Sequence, residues 1–198
     1  MQLKRLIKAA LLLIVAAVLL VLGLLYYQGK QGPRTNSAYV ALGSPFAAGL
    51  GLGEREPRSP LVCQRSVSGY PQQFASQAKL ALTDMSCSGA TIKHVLRGGQ
   101  VFLGPQIAAL GPNTKLVTIT AGGNDIGYVG DLTAMAFQRK GGFLGTLTGW
   151  FWHGARPVAE RDFAQLESDM VATLQEIHRL SPNARIIVVT YPVILPET

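Results

Sequence analysis

The spacing of apolar residues along the chain changes character at two places. Residues 6–27, LIKAALLLIVAAVLLVLGLLYY, form one apolar block, and no charge interrupts the 19 residues from Ala9 to Tyr27. As a helix at about 1.5 Å per residue, that stretch approaches the roughly 30 Å hydrocarbon core of a bilayer. Residues 28–37, QGKQGPRTNS, are polar and carry Gly, Pro and Ser, the composition of a linker. From Ala38 onward, short apolar runs alternate with segments of helical period. AYVALG (Ala38–Gly43) predicts a buried strand, residues 54–69 a loop, and YPQQFASQAKLAL (Tyr70–Leu82) a helix with Pro71 in its first turn. LTDMSC (82–87) follows as a second or edge strand, and Leu116–Ala121 is the clearest strand, bounded by a Gly-Gly turn. The longest helix of this part is expected over Val158–Leu180, where Phe163, Leu166, Met170, Val171, Leu174 and Ile177 share one face. Ser181-Pro182-Asn183 stops it, and Ala184–Tyr191 is an unbroken apolar run, as in a parallel strand covered on both faces. Strands alternating with helices predict a three-layer α/β domain around a parallel sheet, with no internal repeat.

This pattern divides the chain into a basic stub (1–5), a transmembrane signal anchor (6–27), a linker (28–37) and one domain (38–198). Lys4, Arg5 and Lys8 precede the apolar block, while only Lys30 and Arg34 follow it closely, which keeps the N-terminus cytoplasmic and the domain outside the cytoplasm. Tyr26 and Tyr27 stand where an aromatic belt would anchor the far end. A cleavable signal peptide is the alternative. Its apolar stretch would be about 7–15 residues followed by a small-x-small site, and YYQGKQG offers no such site.

Composition changes the picture in two respects. The net charge of +7 suggests nucleic acid, but five of the 18 cations precede residue 35 with no acid among them. The remainder is 13 basic against 11 acidic residues, without a basic stripe interleaved with aromatics, so nucleic-acid binding is not expected. Two cysteines, Cys63 and Cys87, in a chain expected to be exported favour one disulfide over a metal site; two buried free thiols are the alternative. Neither a metal nor a cofactor is expected.

Three segments fall at strand ends, where open α/β sheets place their sites: GSPFAAG (43–49), SCSGAT (86–91) and GGNDIGY (122–128). An Asn beside a glycine turn can aim its amide at a developing oxyanion, as can a glycine N–H. Together these segments resemble the SGNH (GDSL-type) hydrolase family of extracytoplasmic esterases and lipases. YVALGSPFAAGLG stands for the first block, SCSGAT for the second and GGNDIGY for the third. The resemblance implies a flavodoxin-like α/β/α fold and hydrolysis of carboxylic or lipid acyl esters. It implies that Gly89 supplies a backbone oxyanion donor and Asn124 a side-chain donor, and that Cys63 and Cys87 form a disulfide beside the site.

Two departures accompany the matches. Pro45 occupies the position of the family's nucleophilic Ser, and proline has no hydroxyl to acylate. No Asp in the chain has a His three residues on, so the family's Asp-x-x-His is absent, and the domain is expected to be C-terminally incomplete. Ser44 is a weak substitute nucleophile, since a one-residue shift at such a bend swings the side chain away. Its simpler reading is a helix N-cap, with Pro45 at the first helical position. His94 is the nearest base candidate, but without an acid partner His94, His153 and His178 are each expected to be structural. Residues 143–154, FLGTLTGWFWHG, hold both tryptophans and read either as a lid or membrane-facing loop, or as core packing. The closing LPET lacks the glycine, apolar tail and basic end of a sortase signal. The function expected is therefore a membrane-anchored SGNH-type ester hydrolase, or alternatively a disarmed relative that binds a ligand or partner in the same cleft. A second chain covering the exposed C-terminal strand is a further expected partner.

Overall fold

The computed structural model describes residues 2–35 and 37–191; the LPET segment lies outside the described residues. Helix α1 (Gln2–Lys30) is long and apolar enough to cross a membrane, and its apolar span is not buried within the protein. Length and composition of this kind suit a signal anchor and a signal peptide alike.

Four parallel strands follow: β1 (Tyr39–Gly43), β2 (Leu82–Asp84), β3 (Leu116–Thr120) and β4 (Arg185–Val188), in the spatial order β2-β1-β3-β4. Tyr39 lies opposite Leu82 on one side and Leu116 on the other, and Leu116 lies opposite Arg185. β1 is central and fully buried, which accounts for its unbroken apolar run. Its side chains alternate between two layers. Tyr39 and Ala41 pack with Ala75 of α3 (Tyr70–Ala78). Val40 and Leu42 join Val95 of α4 (Ile92–Arg97), Val117, Ile119 and Ile177 of α7 (Phe163–Leu180) in the larger core. A sheet sandwiched between α3 and the α4–α7 pair is the three-layer arrangement that the pattern predicts.

Several boundaries differ from the sequence expectation. The helix expected to reach Leu82 ends at Ala78, because Lys79 takes a left-handed conformation and turns Leu80 under Tyr39 and Ala41. The long helix begins at Phe163 rather than Val158. Asp162 caps it by accepting the Gln165 N–H at 2.8 Å, and Val158–Glu160 is a separate tight turn. β4 is not covered on both faces as expected: Ile186 packs into the core, but Ile187 is 38% and Val188 48% exposed among the described residues. Residues 143–154 are not a loop. They fall largely in α6 (Gly142–Phe151), which forms a hairpin with α5 (Tyr128–Lys140).

Candidate functional site

The site forms where β1 and β3 end. Gly43, the last residue of β1, has φ +139°, and a Cβ there would come within 2.2 Å of the Thr120 carbonyl oxygen. Only glycine lets the two strand ends approach this closely. The Gln106 side chain clamps the same bend, accepting from Gly43 N at 2.7 Å and donating to Gly43 O at 2.9 Å. Gln106 is buried in a short turn 63 positions away, and nothing in its local sequence signals this role.

Pro45 opens the one-turn helix α2 (Pro45–Ala48), as expected for a first helical position. Ser44 stands at the N-cap position, but its hydroxyl caps nothing. It is fully buried and shares a hydrogen bond with the Tyr191 hydroxyl. That phenol also accepts from Gly123 N at 3.3 Å, and burial pushes it above its usual range. The hydroxyl beside the bend is thus engaged with Tyr191, and Pro45 is buried as well.

The second and third segments meet Pro45 in a shallow cleft of about 400 Å³ lined also by Leu50, Ala134 and Phe137. Gly89 is exposed with φ +79°, and its N–H has no protein acceptor among the described residues. Asn124 Nδ2 donates to Ala90 O at 2.7 Å, which ties the third segment to the second and leaves its other N–H without an acceptor among the described residues. The neighbouring Asp125 accepts from Ile92 N at 3.1 Å, and burial raises its pKa. Cys63 and Cys87 form a disulfide, and Ser88 N donates to Cys63 O at 3.0 Å, so the turn carrying Gly89 is held at its base.

The histidines stand elsewhere. His94 Nδ1 lies 3.1 Å from both Thr91 N and Thr91 Oγ1, closing the cap of α4, while His153 and His178 are exposed. No histidine lines the cleft among the described residues, and these residues contain no cluster of His, Cys, Asp and Glu fit to hold a metal. A larger cavity, about 730 Å³, lies beside β2 and includes Asp84, His94, Arg55 and Arg65. There burial raises Asp84 to about 6 although Ser86 donates to it through both N and Oγ.

No local sequence spacing signals the role of Asp131. Buried at the start of α5, it accepts from Trp152 Nε1 at 2.9 Å and Arg156 N at 3.3 Å, and pairs with Arg161 at 2.7 Å. The Trp152 hydrogen bond, with those of Arg156 and Arg161, holds its carboxyl below the usual range. One carboxylate thereby fastens the α5–α6 hairpin to the approach of α7.

The GDSL-like lipase/acylhydrolase family model matches residues 41–198. Lipase 2 of Streptomyces coelicolor is 32% identical over 166 residues, covering 81% of this chain and 54% of that protein. Lipase 1 of the same organism is 29% identical over 185 residues, 91% of this chain and 61% of its own length. The crystal structure of an extracellular lipase from Streptomyces rimosus superimposes with TM-score 0.56 at 26% identity, over 78% of this chain and 59% of that one. That of phospholipase A1 from Streptomyces albidoflavus gives 0.58 at 25%, over 81% and 61%. The chain thus spans between half and two thirds of the length of these relatives. With the sheet, the three strand-end segments and this match over most of its length, the chain belongs to the GDSL-like lipase/acylhydrolase (SGNH) family.

Proposed function

We propose that the chain is a membrane-anchored, extracytoplasmic domain of the ester-hydrolase class, whose cleft receives the carbonyl of a carboxylic or lipid acyl ester. One observation carries this reading: Gly89, whose N–H has no acceptor among the described residues, and Asn124 line the same cleft at the strand ends. Two donors aimed at one oxygen stabilise the negative charge that grows on it as the carbonyl is attacked. Each such donor is worth about 3–4 kcal/mol where it has been removed from a working site. The names of the relatives, lipases and a phospholipase, agree with an acyl ester as the group bound. Turnover requires an acyl acceptor, and Pro45 cannot be one. The acceptor in this reading is Ser44, released from Tyr191, or water.

A second reading is favoured by Pro45 and by the burial of the Ser44 hydroxyl: the cleft binds esters without cleaving them. Detergent-solubilised full chain, given a short-chain nitrophenyl ester and a fluorophosphonate probe, separates the two. Turnover that falls on Asn124→Ala supports hydrolysis, and its loss on Ser44→Ala identifies the acceptor. Saturable ester binding with neither turnover nor covalent label, weakened by Asn124→Ala, supports binding alone. Absence of both binding and turnover refutes both readings.

A further inference from the structure

Helix α6 carries its apolar side chains on the wrong face for a helix held by a core. Phe143, Leu144, Leu147, Trp150 and Phe151 recur at spacings of one, three and four, which draws one stripe along a helix. That stripe points outward: Phe143 is 80% exposed, Trp150 72% and Phe151 77%. The inward face is made of small residues. Gly145 lies so close to α5 that a Cβ there would meet the Phe137 carbonyl oxygen at 2.8 Å, while Thr148 lines the cleft with Ala134 and Phe137. The segment is also one-signed, for no acid occurs between Asp131 and Glu160, whereas Arg139 and Lys140 close α5 at the foot of the stripe. An apolar face with tryptophan and phenylalanine, flanked only by cations, has the composition of an interfacial helix, which sinks about 5–10 Å into the headgroup region. Helix α1 supplies the reason for a bilayer to be within reach.

We propose that the outward face of α6 seats on the membrane that α1 enters, so that the cleft beside it takes its ester from membrane lipids. This inference rests on the anchoring reading above. Phe137 and Thr148 belong to the hairpin and also line the cleft with Pro45, Gly89 and Asn124, so a hairpin dipped in the headgroups places the cleft mouth at lipid level. Anionic phospholipids match the cations at its foot.

The chain has two tryptophans, so Trp152→Phe leaves Trp150 as the sole reporter. The full-length variant is to be incorporated into nanodiscs of zwitterionic and anionic phospholipid, with and without bromine on the acyl chains. The expected result is that the chain elutes with the discs, and that Trp150 emits at shorter wavelength than in detergent-free water and loses most of its intensity in brominated discs. Phe143→Glu with Phe151→Glu should abolish that quenching while circular dichroism and disc association persist, because both side chains are exposed. Elution apart from the discs overturns the anchoring reading and this one with it. Elution with the discs while Trp150 stays open to aqueous iodide overturns the seating alone. Shielding from iodide without quenching by bromine also overturns it, and assigns the face to a second copy of the chain.

Discussion

The strand-end cleft and the α5–α6 hairpin adjoin each other and each has a close glycine approach and buried polar bonds, yet they place their large apolar side chains differently. At the strand ends the chain is locked by close approach and by buried polar bonds: Gly43 against Thr120, Gln106 across the bend, Ser44 to Tyr191, and the disulfide under Gly89. The hairpin rests on small-residue packing and on Asp131, but its large apolar side chains face outward. The difference separates two requirements. A carbonyl-binding site needs donors fixed to within fractions of an ångström, whereas a surface that meets lipid needs exposed apolar area and tolerance of movement.

The comparison can be broken most forcefully at Gly43. Gly43→Ala forces a Cβ into the Thr120 carbonyl, so a loss of about 3 kcal/mol or more is expected in urea unfolding, with loss of the native near-ultraviolet spectrum. Next, Cys63→Ser with Cys87→Ser opens a loop with a sequence separation of 24 and should cost about 2–4 kcal/mol, read as a lower Tm; reductant should reproduce the shift in the parent chain. Asp131→Asn removes the partner of Arg161 and weakens two further hydrogen bonds. It should cost about 1–3 kcal/mol locally, raising amide exchange over 128–161 well before the sheet responds.

Two buried carboxyls, Asp84 in the larger cavity beside β2 and Asp131 in the hairpin, are shifted in opposite directions. Burial raises Asp84 from 3.8 to about 6, so folding favours its protonated form; this contribution is fully present below pH 3.8 and is lost as pH rises toward 6. Asp131 is lowered, so its contribution is present above pH 3.8 and disappears as pH falls through its folded value. Melting temperature against pH should therefore lose its decline between about 4 and 6 in Asp84→Asn, and lose part of its acid limb in Asp131→Asn. The smallest effect is expected at Phe151→Ser. With 77% of its surface exposed, Phe151 should leave stability within about 0.5 kcal/mol in lipid-free detergent, and a larger loss would mean that the stripe is packed after all.

Much of this was legible in local pattern. Strands β1, β3 and β4, helix α7, the apolar N-terminal span and the paired cysteines all follow from period and composition. The start of α7 was legible too, in Asp162 and Gln165 at capping distance, a signal overridden by the apolar Val158 upstream. The α5–α6 hairpin was not: Phe143, Leu147 and Phe151 recur at helical spacing, but Gly142, Gly145 and Gly149 within the same ten residues argue against a helix.

The order of residues by itself determined the alternation of strands and helices, the family blocks at Gly43, Gly89 and Asn124, and the absence of a hydroxyl at position 45. Each of these is a property of a single residue or of neighbours within one turn. Only the tertiary structure decided that Gln106 grips the bend, that Ser44 turns inward to Tyr191, that Asp131 fastens the hairpin, and that the apolar stripe of α6 faces out. Those contacts join positions tens of residues apart, where orientation depends on how whole elements pack, and no local spacing records it.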